Sequence, residues 1–325
     1  MKRKNKLLLR QPAMRRVLLA TLPCIAGGVY FFGWQVLASV LVCCICGFAA
    51  ELLFCRRRGE PVTEAVFVTS ILFALIMPPN VGWHVLIVGM VFAVVFSKEV
   101  FGGFGRNIFN PAMAGRCFVY ICFPVAMTGT WPASASLSGA GALTQWTTAA
   151  QTDAVTSATP MAIMKAGGEV PAIGPLFFGG LSGTVGVTSA LLILIGGLYL
   201  FYTKTANRTI ILSVILTYAV INQLLTWFGV ANINGAIPAL LGGGFLFGAF
   251  FMATDPVSAA KTKTGRIIYG IIIAACTTVI RNFSIFNGGL MFSILLANMF
   301  APIIDYGVTS YTKKKQAPIA SELNP

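Results

Sequence analysis

Apolar residues run along this chain in blocks long enough to cross a bilayer, separated by short polar stretches. Windows of roughly 17 to 25 residues, the length at which a helix spans about 30 Å of hydrocarbon, fall at 17–33, 34–55, 63–79, 81–97, 108–128, 176–201, 209–228, 237–253, 266–282 and 288–306. No segment shows the long apolar–polar alternation of a barrel strand. A chain in hydrocarbon must satisfy its peptide groups internally, so these blocks predict helices. The expected fold is all-α: a polytopic integral membrane protein with about ten transmembrane helices.

Composition agrees, with 57% hydrophobic and 10% charged residues and a mean hydropathy of +0.82. The placement of charge adds orientation, because cytoplasmic loops carry the excess of Lys and Arg. All but three of the 23 basic residues fall in the amino-terminal tail, in the even-numbered turns (Arg56 to Arg58, Lys98, Arg106, Lys204, Arg208, Lys261, Lys263, Arg266) or at Lys313 to Lys315. The exceptions are Arg116 inside the fifth window, and Lys165 and Arg281 on or near the other side. Both termini are therefore expected in the cytoplasm. The net charge of +14 becomes a topology signal, not a mark of nucleic-acid binding. The basic tail leads into the first block without a small-residue cleavage site, so that block is expected to stay as a helix.

The expected organisation is a basic cytoplasmic tail (1–16), a first five-helix half (17–128), an extracytoplasmic loop (129–175), a second five-helix half (176–306) and a cytoplasmic tail (307–325). Five helices per half would give the halves opposite orientations, an inverted repeat. Phe73 to Pro79 echoes Phe247 to Pro256, and Asn107-Ile-Phe-Asn-Pro111 echoes Asn298-Met-Phe-Ala-Pro302. Repeats of this kind with proline- and glycine-broken helices build sites near the midplane. Ionisable groups in such spans mark pathways or partners. That makes Glu51, Glu64, Glu99, Asp255 and Asp305 the candidates for a cation route. Asp255 stands out, because Ala253-Thr-Asp-Pro256 would break a helix and offer a carboxylate, a hydroxyl and free carbonyls to a small hard cation.

No nucleophile–base pair, phosphate loop or nicotinamide fingerprint is present, so no catalytic residue is assigned. The eight cysteines lack the spacing of a zinc site or a disulfide framework. Cys43, Cys44 and Cys46 are taken as helix-packing material, and no metal site is expected. His84, beside Trp83, sits at the expected start of the fourth span as an interfacial residue.

Between Gly129 and Pro175 the chain is rich in Ala, Ser, Thr and Gly. Taken alone, Thr156, Ser157 and Thr159 are a polar turn or a cap for a helix beginning at Pro160. Within Asp153-Ala-Val-Thr-Ser-Ala-Thr159, however, they resemble the flavinylation motif Asp-Gly-x-Ser/Thr-Gly/Ala/Ser-Ala-Thr of bacterial ion-translocating electron-transport complexes. Lys98 to Ala112, Phe251 to Ala259 and Asn298 to Asp305 likewise look like segments of the NqrB/RnfD family, which comprises the B subunit of the Na⁺-translocating NADH:quinone reductase and the D subunit of the Rnf ion-translocating oxidoreductase. The resemblance covers residues 12 to 312, with four motifs in the family's order. Ala154 departs from the motif, where the family often has glycine.

The resemblance implies that Thr159 carries FMN through a phosphoester bond made by a dedicated flavin transferase on the outer face. Asp153, Thr156 and Ser157 would complete the acceptor motif. The charge pattern independently puts Thr159 on that face. The resemblance further implies a bacterial inner (cytoplasmic) membrane, other membrane and peripheral subunits as partners, a second noncovalent flavin such as riboflavin, and coupling of electron transfer to Na⁺ or H⁺ movement; of the acids in the spans, Asp255, Asp305, Glu99 and Glu64 are the candidates for that ion pathway. The quinone-reductase branch is favoured by Lys98 to Ala112 and by Ala301 to Asp305. The short amino terminus favours the Rnf branch, and both stay open. The alternative to a flavin carrier is a flavin-free inverted-repeat channel or transporter for a small solute.

Overall fold

Helix starts and stops fall where local chemistry puts them. The computed structural model describes residues 7–129, 131–135, 139–148, 159–165, 168, 171–230, 233–284, 286 and 288–322. The first half contains α1 (Pro12–Phe32), α2 (Gln35–Arg58), α3 (Ala65–Leu75), α4 (Trp83–Val94), α5 (Pro111–Cys122) and the short α6 (Pro124–Thr128). Two short helices follow, α7 (Pro160–Lys165) and α8 (Ile173–Phe178). The second half has α9 (Ala190–Tyr202), α10 (Arg208–Trp227), α11 (Ala236–Leu241), α12 (Phe245–Phe247), α13 (Lys263–Phe283) and α14 (Gly289–Glu322). Among the described residues the chain is all-helical apart from a two-residue parallel bridge, β1 (Leu8–Leu9) on β2 (Val62–Thr63).

Among the described residues, five helices are long and apolar enough to cross a membrane: α1, α2, α10, α13 and the 289–315 part of α14. The other five apolar windows contain shorter or broken pieces, and proline and glycine account for the breaks. α3 stops at Leu75, just before Pro78 and Pro79, because proline offers no N–H and disfavours helix in the residue before it. The freed carbonyls are satisfied from the second half: Gly186 N donates to Leu75 O at 2.7 Å and Val185 N to Met77 O at 3.2 Å. α4 widens into a π-helical turn at Val95–Glu99, and α12 does so at Gly248–Met252. Inserted turns of this type are frequent at functional sites.

Packing joins the halves through small residues. α1 lies against α9 so closely that a Cβ on Gly196 would sit 2.0 Å from the Ala20 carbonyl oxygen. Such close approach is how helices associate where no hydrophobic drive distinguishes protein from lipid. Within each half α2 packs on α3 and α4, and α10 on α11 and α13. The interior is filled by Phe32, Phe73, Leu75, Met90, Phe245 and Phe247, whereas Leu41, Ile45 and Leu216 stay exposed on helix faces.

At the end of the bundle that holds β1 and β2, charges are buried in pairs. Lys98, 2% exposed, donates to Glu51 Oε2 at 2.5 Å, and Glu51 is 1% exposed. Thr63 completes the set: its Oγ1 accepts from Lys98 at 3.0 Å and donates to Glu51 Oε1 at 2.7 Å. This triad fastens α2, β2 and the first π turn together. Removing one partner of a buried pair strands the other charge, at a cost of about 3–5 kcal/mol. Glu51→Gln is therefore expected to lower the thermal midpoint in detergent strongly, and Glu51→Gln with Lys98→Met to recover most of the loss. Equal destabilisation of the single and double variants would contradict the pairing.

Candidate functional site

A cavity of about 270 Å³ opens between the two halves, and Thr159 lies on its wall. Thr159 precedes Pro160, whose fixed φ suits the first position of a helix. Its Oγ1 accepts a 3.3 Å bond from Ala162 N, which caps α7. Asp153, Thr156 and Ser157 lie outside the described residues. α7 is held down at both ends. Met161 Sδ is 3.9 Å from Arg281 Nη1, while Lys165 Nζ donates to the Ser284 carbonyl and, at 3.4 Å, to that of Phe286. Thr159 is thus fixed against the last turn of α13.

Other walls of the cavity come from α5 (Met113, Arg116, Tyr120), from the break after α11 (Gly243, Gly244) and from α14 (Leu290, Met291). Its described lining holds two arginines, Arg116 and Arg281, and no Asp or Glu. Arg281 is 1% exposed. Its Nη2 donates to Gly243 O at 2.8 Å, and its Nη1 to Tyr218 Oη at 3.2 Å and to Gly242 O at 3.5 Å. The guanidinium also faces the rings of Tyr218 and Phe245, at 5.8 and 5.7 Å from their centroids. Every one of these partners is neutral. Arg281 Nε is buried with no hydrogen-bond partner among the described residues. Gly243, at φ +59, supplies the carbonyl. A Cβ there would meet Met161 Cγ at 2.3 Å.

A second, smaller cavity of about 80 Å³ includes Thr69, Asn110, Thr205, Thr254 and Asp255 in its lining. Asp255 follows the second π turn, and its Oδ2 accepts from Ser258 Oγ at 2.5 Å and Ser258 N at 3.2 Å. Two asparagines cross beside it. Asn110 N donates to Asn298 Oδ1 at 3.1 Å, and Asn298 Nδ2 to Tyr269 Oη at 2.7 Å. The motifs Asn107–Pro111 and Asn298–Pro302, matched in the sequence as echoes, therefore touch. Among the described residues Asp255 forms no ion pair.

The remaining candidate acids stand elsewhere. Glu64 accepts from Arg15 Nη2 at 2.6 Å and from Gln11 N at 2.7 Å. Arg15 Nε adds a bond to Oε1 at 2.9 Å, so the carboxylate is fully engaged. Glu99 is paired with Arg58. Asp305 braces the entry to α13, accepting from Lys261 N at 2.7 Å and from N of the capping Thr262 at 2.9 Å. None of these three lines either cavity. Sequence reasoning singled out Thr159 and Asp255 but set Arg116 and Arg281 aside as exceptions to the charge rule. Their signal was that same exception: a guanidinium inside or at the end of an apolar block, away from the basic end.

Residues 8–314 match the NQR2, RnfD, RnfE family. The chain is 40% identical over 273 residues to the B subunit of the Na(+)-translocating NADH-quinone reductase of Pseudoalteromonas atlantica, covering 82% of this chain and 64% of that protein. The corresponding B subunit from Ectopseudomonas mendocina is 39% identical over 304 residues, with 90% and 70% covered. The D subunit of the Na(+)-translocating ferredoxin:NAD(+) oxidoreductase complex of Acetobacterium woodii is 37% identical over 318 residues, with 94% and 93% covered. The chain thus spans less than two thirds of the first of these relatives.

The tight seat of Met161 over Gly243 yields a structural test. Gly243→Ala is expected to cost about 1–3 kcal/mol by overpacking and to loosen α7, read as faster amide hydrogen exchange across residues 160–165. Unchanged exchange there would mean that α7 is not held by this contact.

Proposed function

The chain belongs to the NQR2, RnfD, RnfE family, and on that footing we propose that it is the membrane subunit of an ion-translocating electron-transport complex, carrying FMN as a phosphoester on Thr159. The carrying observation is the position of Thr159: a capping threonine on the wall of a cavity with two arginines and no described carboxylate. The capping bond uses an Oγ1 lone pair and leaves the hydroxyl proton, the atom a phosphoester replaces, uncommitted. Arg116 and Arg281 suit an anionic group, and Tyr120, Trp131 and Phe247 give the cavity aromatic walls for a flat ring. A bound flavin would supply one- and two-electron exchange, with the protein contributing position and electrostatics. α7, pinned to α13, keeps the acceptor in place.

Asp255 is the proposed cation ligand. A carboxylate without a basic partner among the described residues, beside Thr254, Thr69 and Asn110, offers oxygen ligands to Na⁺ or a resting place for H⁺. Coupling requires that the ion bind one redox-linked conformation better than the other. The π turn at Gly248–Met252 connects the two sites physically, since Gly248 lines the flavin cavity and Asp255 follows the turn. Orientation with both termini in the cytoplasm of a bacterial cell is supported by the basic residues gathered near β1, β2 and the start of α13. The 5+5 inverted repeat is supported by matched packing: α2 with α4 and α4 with α5 in one half, α10 with α13 and α13 with α14 in the other. Other subunits of the complex and a flavin transferase are the proposed partners.

With the transferase co-expressed, the chain is expected to give a flavin-fluorescent band on a denaturing gel, and Thr159→Ala to abolish it. A persistent band in Thr159→Ala would move the flavin elsewhere, and no band in the wild type would favour a flavin-free transporter. Asp255→Asn is expected to keep the band and to lower redox-driven ion uptake into vesicles by about tenfold or more, one decade corresponding to about 1.4 kcal/mol of coupling. Undiminished uptake would exclude Asp255 from the route.

A further inference from the structure

A guanidinium buried in a membrane protein is expensive unless an anion meets it. Arg281 is nearly sealed from solvent, yet every partner it has among the described residues is uncharged: two glycine carbonyls, a tyrosine hydroxyl, a thioether and two ring faces. Those dipoles, together with the end of α13, make the charge tolerable. They do not neutralise it, and Nε is left buried with no acceptor among the described residues. Arg116 adds a second positive group to the same cavity, whose described lining contains no carboxylate, and neither arginine forms an ion pair among the described residues. The cavity is therefore built with a fixed positive charge and waits for a negative one.

We infer that Arg281, with Arg116 on the same cavity, is the electrostatic partner of the flavin ring carried at Thr159, and that it raises the ring's affinity for electrons. The inference deepens the flavin assignment at Thr159 and rests on it. Two electrons from one-electron donors in neighbouring subunits, taken up with one proton, leave a flavin ring with one negative charge more than before. A guanidinium held by Gly243 and Tyr218 meets that charge without reorganising, which is what makes a preorganised group effective in a low dielectric. The oxidised ring gains no such charge, so the interaction is differential and appears as a shift in equilibrium.

Spectroelectrochemical titration of the covalent flavin in the full-length, flavinylated chain, purified in its complex, tests this. Arg281→Gln is expected to reduce the preference for the reduced over the oxidised flavin by about tenfold or more, which for a two-electron couple is a midpoint about 30 mV more negative. Arg281→Lys should restore most of it, since it keeps the charge. If Arg281→Gln gives no folded protein, Arg116→Gln carries the test and should shift the midpoint in the same direction. A fluorescent band of wild-type intensity with an unchanged midpoint in a folded glutamine variant overturns the inference. So does a weaker band with an unchanged midpoint, which would place the guanidinium at the phosphate and not at the ring. Loss of the band from the wild-type chain is a different result and sinks the assignment at Thr159.

Discussion

Every peptide group and every charge inside hydrocarbon must find its partner within the protein, and the rest of this structure depends on that constraint. Where α3 breaks before Pro78, the freed carbonyls of Leu75 and Met77 are met by Val185 and Gly186 of the other half. Lys98, Glu51 and Thr63 form a closed set, and Glu64 and Glu99 each have an arginine. Satisfaction of this kind joins segments distant in sequence and holds the bundle together. It also makes the exceptions informative, because a polar group left open in such a place is costly to keep.

Two exceptions of opposite sign lie on opposite sides of the second π turn. Arg281 and Arg116 face one cavity without a described anion, and Asp255 faces another without a described cation. Between them run Gly248 to Met252 and the crossed asparagines Asn110 and Asn298. An electron carrier at the first site and a cation at the second would sense each other through this short wall.

Much of the fold was legible in the chain, and what was hidden has physical causes. Apolar blocks identified α1, α2, α10, α13 and α14 directly, since long helices and hydrophobic windows coincide. The same windows could not separate a full span from α3 followed by a Pro78–Pro79 break, or from α11, α12 and a π turn divided by Gly242 to Gly244. Hydropathy averages over such interruptions. Thr159 and Asp255 were visible through local chemistry, a motif and a helix-breaking Asp-Pro. The pairing of Glu51 with Lys98 was not, because it joins residues 47 positions apart. Arg281 was set aside for lying away from the basic end, although that displacement marks a buried charge on a cavity wall.

The proposed flavin phosphoester at the hydroxyl oxygen of Thr159 leaves a mass signature. Peptide mass mapping of the chain purified from cells with an active flavin transferase tests it most directly. An FMN-sized increment is expected on the peptide containing Thr159, localised by fragmentation to that residue. An unmodified Thr159 peptide recovered in full yield from such cells would contradict it.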